Sequence, residues 1–344
     1  LPDTRAEAPR RIVIVTDAWH PQSNGVVRTL AAVSAELTEL GHAVLVIGPD
    51  RFVTLPCPTY PEIRLALLPA RKLIRMIESF APDRLHIATE GPIGVAARRW
   101  ALRRRLQFTT SFHTRFAEYF SARTRVSPEL IYPLLRRFHA ASAGTLVATP
   151  SLQQDLARRG FANLVAWSRG VDLSAFGLEG AEPYTGLPRP VFLYVGRVAV
   201  EKNIEAFLDL DLPGSKVVVG GGPALASLQR RYPGVTFTGA RFGAELSAHY
   251  AGADVMVFPS LTDTFGLVLL EALACGTPVA GFDVTGPRDL LAQADRKVGA
   301  AGRDLRQAAL SALGASREDC RAFAARFTWR ACAQSFVRAL VPLA

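Results

Sequence analysis

Two carboxylates eight residues apart, Asp263 and Glu271, stand in the stretch PSLTDTFGLVLLEALACGTPVAGF, one just before a Thr-Phe-Gly step and the other inside an apolar run. The preceding DVMVFPS reads as a buried strand, which puts Asp263 in the loop at its carboxyl end and starts a helix near Phe265 or Gly266. The unpaired amides of a helix start are a ready site for polar or anionic groups. Glu271 then sits roughly 8 Å along the axis from Gly266 at 1.5 Å per residue, where its carboxylate could accept hydrogen bonds from a vicinal diol. The same spacing fits a helix-start Asp and a Glu paired with an arginine, so spacing alone leaves the two readings level.

A second group is YVGRVAVEKN, with Arg197 two residues past a strand end and Lys202 five further on. A guanidinium fork and a point-like ammonium at the mouth of a sheet suit a diphosphate. Solvated strand-end cations are the plain alternative, although lysine occurs only four times in the chain, at positions 72, 202, 216 and 297. VVVGGGPALASL places Gly222 in a tight turn between strand and helix, without the spacing of a dinucleotide fingerprint or a P-loop. In WHPQSNGVVRTL, Gly25 opens a helix whose dipole could face a phosphate. TSFHTRF puts His113 directly after a strand, where a surface or hydrogen-bonded histidine is the plain alternative.

These residues need strand ends to carry them, and the chain supplies two series. RIVIV, AVLVIGPD, DRLHIAT, QFTTSFHT and TLVATPS alternate with helical patterns, and a fresh cycle of VFLYVGR, KVVVGGGP, VTFTG and DVMVFPS follows. Alternation of this kind predicts two doubly wound parallel sheets, and therefore a cleft faced by the carboxyl ends of both. The expected division is a first Rossmann-like domain over residues 1–172, a second over 173–327, and a C-terminal helix in 328–344 packing back toward the first domain. The polar, Pro- and Gly-bearing GLEGAEPYTGLPRP is the expected linker.

The 344 residues exceed what one core usually organises, and 49% apolar with 20% charged residues describes a folded chain. Four cysteines without a paired spacing suggest neither a disulfide framework nor a zinc site. No apolar stretch long enough for a leader or a membrane span is read, so a reducing cytoplasm is the expected location. The formal charge is +10 and built almost wholly of arginine, which reflects either genomic composition or a functional basic surface.

Together, VGRVAVEKN, GGGP, ADVMVFPS and TDTFGLVLLEALACGTPVAGF resemble the donor domain of glycosyltransferase family 4, retaining enzymes of the GT-B fold. PQSNGVVRTL, ATEGPIG, SFHTRF and SRGVDLSAF are similar to a subgroup that contains mannosyltransferases and sulfolipid-type transferases. The resemblance implies that Asp263 and Glu271 are the two acids of the family's E-x7-E motif, Glu271 on the nucleotide ribose and Asp263 against the transferred sugar. It implies that Phe265, Gly266 and Leu267 lend amides to that sugar and that Arg197 and Lys202 neutralise the diphosphate, with Gly25 and Gly222 beside the donor. His113 would support the acceptor and donor geometry, and Glu90 is a candidate acceptor contact. Two departures stand out: the first acid is Asp, one methylene shorter, and the usual Gly-Gly before the first helix is Asn24-Gly25. The first of these bears on the sugar's identity more than on catalysis.

The implied activity is transfer of a hexose from GDP-mannose or a UDP-hexose to a hydroxyl, with no metal or other cofactor and no obligate protein partner. A sugar epimerase on the same scaffold, a nicotinamide dehydrogenase and a noncatalytic basic membrane module are the rivals. The dehydrogenase lacks its glycine fingerprint after the first strand, and nucleic acid is disfavoured because no aromatic platform interleaves the arginines. Residues 1–185 carry 23 basic against 16 acidic side chains, most of the positive excess. Arg98, Arg99, Arg103, Arg104 and Arg105 around Trp100, and Arg136 and Arg137 in YPLLRRFHAA, predict an edge that rests on an anionic membrane and reaches a lipid acceptor. The expected position is then peripheral, on the inner face of the cytoplasmic membrane. The alternatives are a core-facing Trp100 and a soluble saccharide or small alcohol as acceptor.

Overall fold

The computed structural model describes residues 8–343 apart from 23, 58–59 and 179–181. Residues 1–7, part of the stretch in which no leader was read, lie outside that description. The chain forms two units: residues 1–148, 152–168 and 329–344 make the first, and 149–151 with 169–328 make the second.

In the first unit, strands β1 (Arg11–Val15), β2 (Ala43–Ile47), β5 (Arg84–Ile87), β6 (Thr109–Ser111), β7 (Gly144–Val147) and β8 (Leu164–Ala166) form one parallel sheet in the order β2-β1-β5-β6-β7-β8. A separate antiparallel hairpin of β3 (Thr54–Cys57) and β4 (Tyr60–Ala66) has no counterpart in the sequence reading. The apolar run of β1 is buried on both faces, as a central parallel strand requires. Ile12 and Ile14 meet Leu30, Val33 and Leu37 of the helix Gly25–Glu39 on one side. Val13 and Val15 meet Leu73, Ile77 and Trp100 on the other. Gly41 takes φ +87° just past the end of the helix Gly25–Glu39, a left-handed exit that suits glycine.

The helix Trp329–Ala339 completes the first core. Cys332, Ala333, Phe336 and Val337 pack with Leu30, Val33 and Leu37, and the Trp167 indole donates to the Cys332 carbonyl at 3.2 Å.

The second unit contains β9 (Val191–Val195), β10 (Ser215–Val219), β11 (Thr236–Gly239), β12 (Val255–Phe258), β13 (Val279–Phe282) and β14 (Gly299–Gly302), all parallel, in the order β11-β10-β9-β12-β13-β14. This is a doubly wound order that reverses between β9 and β12.

Three sequence expectations need correcting. The proposed linker is part of the second unit: Tyr184 is buried and its hydroxyl donates to the His249 carbonyl at 3.0 Å, while Arg189 donates to the Gly252 carbonyl. Its residues 179–181 lie outside the described ones. Residues 169–172, placed with the first domain, belong to the second, where Val171 bridges Thr328 in parallel. Trp100 is 7% exposed and faces the core, so it offers no edge to a bilayer. Arg98 is spent on the carbonyls of Phe138 and Arg137, and Arg104 on Glu78 at 2.6 Å.

Candidate active site

Because every strand of the second sheet runs the same way, the loops after β9, β10 and β12 emerge at one end, next to the reversal point. They carry Arg197, Lys202, Gly222 and Asp263 there. Lys202 Nζ lies 2.5 Å from Asp263 Oδ1, with both side chains largely buried. Two contacts between the same loops hold that pair: Asn203 donates from Nδ2 to the Pro259 carbonyl at 3.0 Å, and the Thr262 hydroxyl donates to the Glu201 carbonyl at 3.4 Å. Arg197 has Glu201 beneath it at 3.7 Å, and its carbonyl accepts the Tyr194 hydroxyl at 2.7 Å. Each of the two cations therefore sits beside a carboxylate that fixes its place at the strand mouth.

The helix that follows runs Leu267–Ala274, one or two residues later than the sequence predicts, with Gly266 as its N-cap. Gly266 has φ +86°, and a Cβ there would lie 3.0 Å from the Phe258 ring, so only glycine turns this corner unstrained. Phe265 is buried, which leaves its backbone rather than its ring as the polar offering. Glu271 is 3% exposed, and its Oε2 accepts the hydroxyl of Tyr250 at 2.9 Å. The structure thus supplies a phenol partner for the carboxylate in the apolar run. Cys275, one turn further, is pushed up to about 11, by burial first, with Glu271 adding repulsion.

Gly222 and Gly220 have a packing reason as well. A Cβ on Gly220 would stand 1.8 Å from the Gly196 carbonyl oxygen, and one on Gly222 2.3 Å from that of Val198. The glycine turn lets the loop after β10 lie against the loop bearing Arg197.

The first sheet reverses between β1 and β5, and the ends of β1, β5 and β6 carry Asp17, Glu90 and His113. His113 is 8% exposed, with its ring edge-on to Trp167 at 5.6 Å. At the start of the helix Gly25–Glu39, Asn24 Oδ1 accepts from the amides of Val26 and Val27 at 3.0 and 3.1 Å. Asn24 thus has a function where the family pattern has glycine: it is the N-cap, and it already occupies two of the amides that a phosphate would seek.

Sequence reasoning missed Asp17 and His139. Asp17 Oδ1 accepts the Ile93 amide at 2.8 Å, and its Oδ2 accepts the Gly94 amide at 3.2 Å and the Thr89 hydroxyl at 2.9 Å. It caps the helix Pro92–Arg103 from a distant strand end and anchors the ATEGPIG turn. A Cβ on Gly91 would run into its carboxyl group at 2.5 Å, which explains that glycine. Burial raises the Asp17 pKa to about 6 against the opposing pull of these donors. His139 meets Glu90 at 3.0 Å. An acid directly after a strand was the signal for Asp17; for His139 the sequence offers none, since its partners are remote.

Among the described residues no group of three or more His, Cys, Asp or Glu gathers as metal ligands would, and no helix is long and apolar enough to cross a membrane.

Comparison with known proteins places this geometry. Residues 23–175 match the model of Glycosyltransferase Family 4, and residues 189–315 that of Glycosyl transferases group 1. A GDP-mannose-dependent alpha-mannosyltransferase of Mycolicibacterium smegmatis is 32% identical over 82% of this chain and 82% of its own length. The chain belongs to glycosyltransferase family 4. An alpha-monoglucosyldiacylglycerol synthase of Streptococcus pneumoniae is 25% identical over 78% of this chain and 70% of its own. Among solved structures, sucrose-phosphate synthase from Thermosynechococcus elongatus superposes with a TM-score of 0.73 at 20% identity, covering 96% of this chain and 98% of that one. The two Rossmann-like units are those of the GT-B fold, and this family member is a hexosyltransferase that takes its sugar from a nucleotide sugar.

Proposed function

We propose that this family 4 enzyme transfers a hexose, with retention at the anomeric carbon, from a nucleotide diphosphate sugar to a hydroxyl of a membrane lipid. GDP-mannose is the donor named for the mycobacterial relative, and a UDP-hexose is the alternative. The observation that carries the reading is the grouping of Arg197, Lys202 and Asp263 around the β9/β12 reversal, one helix turn before Glu271. In this reading Arg197 and Lys202 receive the diphosphate, whose negative charge grows as the glycosidic bond breaks, so that their attraction is greatest in the transition state. Glu271 takes the ribose hydroxyls, Asp263 and the amides of Phe265, Gly266 and Leu267 orient the sugar, and Gly25 and Gly222 border the donor. His113 and Glu90 serve the acceptor. Two cations at the leaving group do the work otherwise given to a metal ion.

The lipid acceptor is supported by the diacylglycerol named for the streptococcal relative and by one surface of the first unit. Leu68 is 95% exposed and Leu67 45%, directly ahead of the helix Ala70–Phe80, on which Arg71 and Arg75 are exposed while Leu73 and Ile77 are buried. Exposed leucines beside arginines suit an anionic bilayer. They stand in place of the Trp100 edge, which the core occupies.

Mass spectrometry of products formed from GDP-mannose, UDP-glucose and UDP-galactose, each with dioleoylglycerol vesicles or with soluble saccharides and with EDTA present, tests the reading. A mannosyl or glucosyl lipid whose NMR spectrum shows the donor's anomeric configuration is the expected result. Product on soluble saccharides alone overturns the lipid acceptor, inversion overturns retention, and loss of turnover in EDTA overturns the metal-free leaving group.

A further inference from the structure

A run of buried hydroxyls fixes where the protons of the Glu90–His139 pair must be. The Ser142 hydroxyl donates to the His139 carbonyl at 2.8 Å. Its single hydrogen is spent there, so it can only accept from Thr145, 3.0 Å away. Thr145 in turn can only accept from Thr110 at 3.0 Å, and Thr110 can only accept from His139 Nδ1 at 2.9 Å. Nδ1 therefore carries a hydrogen. Nε2 faces a carboxylate oxygen of Glu90 at 3.0 Å. A neutral ring with its hydrogen on Nδ1 would turn a bare lone pair toward that oxygen, so one further proton must lie between the two groups.

The surroundings fit this assignment. His139 is 2% exposed, whereas the Glu90 side chain retains 24% of its exposure and is where the network opens to solvent. His86, the neighbouring buried histidine on β5, has the opposite arrangement: Ser111 donates to the Ala88 carbonyl and so accepts from His86 Nε2, which leaves His86 Nδ1 to accept from Thr109. Burial, with repulsion from His139, lowers the His86 pKa to about 3. The other charged groups nearby are Asp17, which holds the backbone of the 89–94 turn, and Arg98, which is bound to the carbonyls of Arg137 and Phe138.

The geometry points to Glu90 and His139 acting as one proton-holding dyad, in which His139 is a positioning residue that fixes the Glu90 carboxylate so that its second oxygen accepts the hydrogen of an acceptor hydroxyl. This rests on the reading of the chain as a transferase to a hydroxyl. The shared proton holds that carboxylate in one rotamer, and the Asp17 anchor fixes its backbone.

The first half of the test needs no substrate. In the full chain with 15N-labelled histidine, His139, assigned by the resonances missing in His139→Gln, is expected to show a hydrogen on Nδ1 and a hydrogen shared between Nε2 and the Glu90 carboxylate, and Glu90→Gln is expected to leave Nε2 bare. A bare Nε2 in the unaltered protein, or no change in Glu90→Gln, overturns the dyad. The second half uses dioleoylglycerol vesicles, or the hydroxyl compound returned by the product screen, as acceptor. His139→Leu is expected to raise the acceptor KM about tenfold with the donor KM unchanged, and His139→Gln, whose amide can still donate to Glu90, to restore most of it. An unchanged acceptor KM in a folded His139→Leu protein overturns the acceptor role. Failure of the unaltered enzyme to transfer sugar to any hydroxyl would instead overturn the transferase reading, with the NMR result standing by itself.

Discussion

Lys202 and Asp263 come from different loops and meet at 2.5 Å at the reversal point of the second sheet, a pair of net zero charge in a largely buried place. An incoming diphosphate would add two or more negative charges beside a cation already matched by one. Arg197 is matched in the same way by Glu201, so the diphosphate would have to share both cations with the carboxylates that hold them.

Turnover should therefore fall about 10²-fold in either Lys202→Ala or Arg197→Ala, the size expected when one donor to a developing anion is lost. The double variant should lose less than the product of the two, because both act on one diphosphate. Steady-state kinetics with saturating donor measures this, and a fully multiplicative loss would separate the two cations.

Glu271→Gln should weaken binding of GDP or UDP by about 1.5–3 kcal/mol, the worth of a hydrogen bond to a charged group. Tyr250→Phe is the control, since it removes the phenol at Oε2 and spares the carboxylate. Calorimetric titration of nucleotide into both folded variants decides; equal affinity for Glu271→Gln and the parent protein removes Glu271 from the ribose.

The pKa of Asp17 is raised by burial to about 6 from an ordinary 3.8. Between those values the native state holds a proton that the unfolded chain has lost, so this group's contribution to stability is fully present below about pH 4, declines as pH rises toward 6 and is flat above. The decline is on the order of 2–3 kcal/mol. Urea unfolding at pH 4.5 and 7.5 should show a smaller pH dependence for Asp17→Asn than for the parent, whatever the variant's absolute stability. Parallel pH profiles would refute the assignment.

Flotation with phosphatidylglycerol vesicles should exceed that with phosphatidylcholine, and the triple variant Leu68→Ser, Arg71→Ser, Arg75→Ser should lose most of it at roughly 1 kcal/mol per arginine. Changing Arg103, Arg104 and Arg105 to Ser should cost less, since the neighbouring Trp100 is committed to the core. The reverse ranking would return the membrane edge to that helix.

Both sheets were legible because short, β-branched apolar runs such as Ile12–Val15 leave no polar face, as strands buried on both faces of a parallel sheet require. The placement of Arg197, Lys202, Asp263 and Gly266 beyond strand ends was legible because each follows a strand by a few residues. The linker was misread because proline, glycine and acid content resemble a tether, and composition does not show that Tyr184 finds a buried acceptor. The hairpin of β3 and β4 escaped a reading centred on parallel alternation. His139 escaped for another reason: its meaning lies in Thr110 and Glu90, 29 and 49 residues away, and in a run of hydroxyls whose direction only coordinates reveal.

The helix Trp329–Ala339 fills the core of the first unit, yet the ribosome makes it only after the whole of the second. Vectorial folding, in which an N-terminal domain settles while its successor is still being synthesised, therefore cannot complete the first core before the last helix emerges. Leu30, Val33 and Leu37 keep an apolar face without its helical cover for about 290 residues of synthesis, on the order of tens of seconds at roughly 5–20 residues per second. The second unit, which needs no such late arrival, is the one placed to fold first.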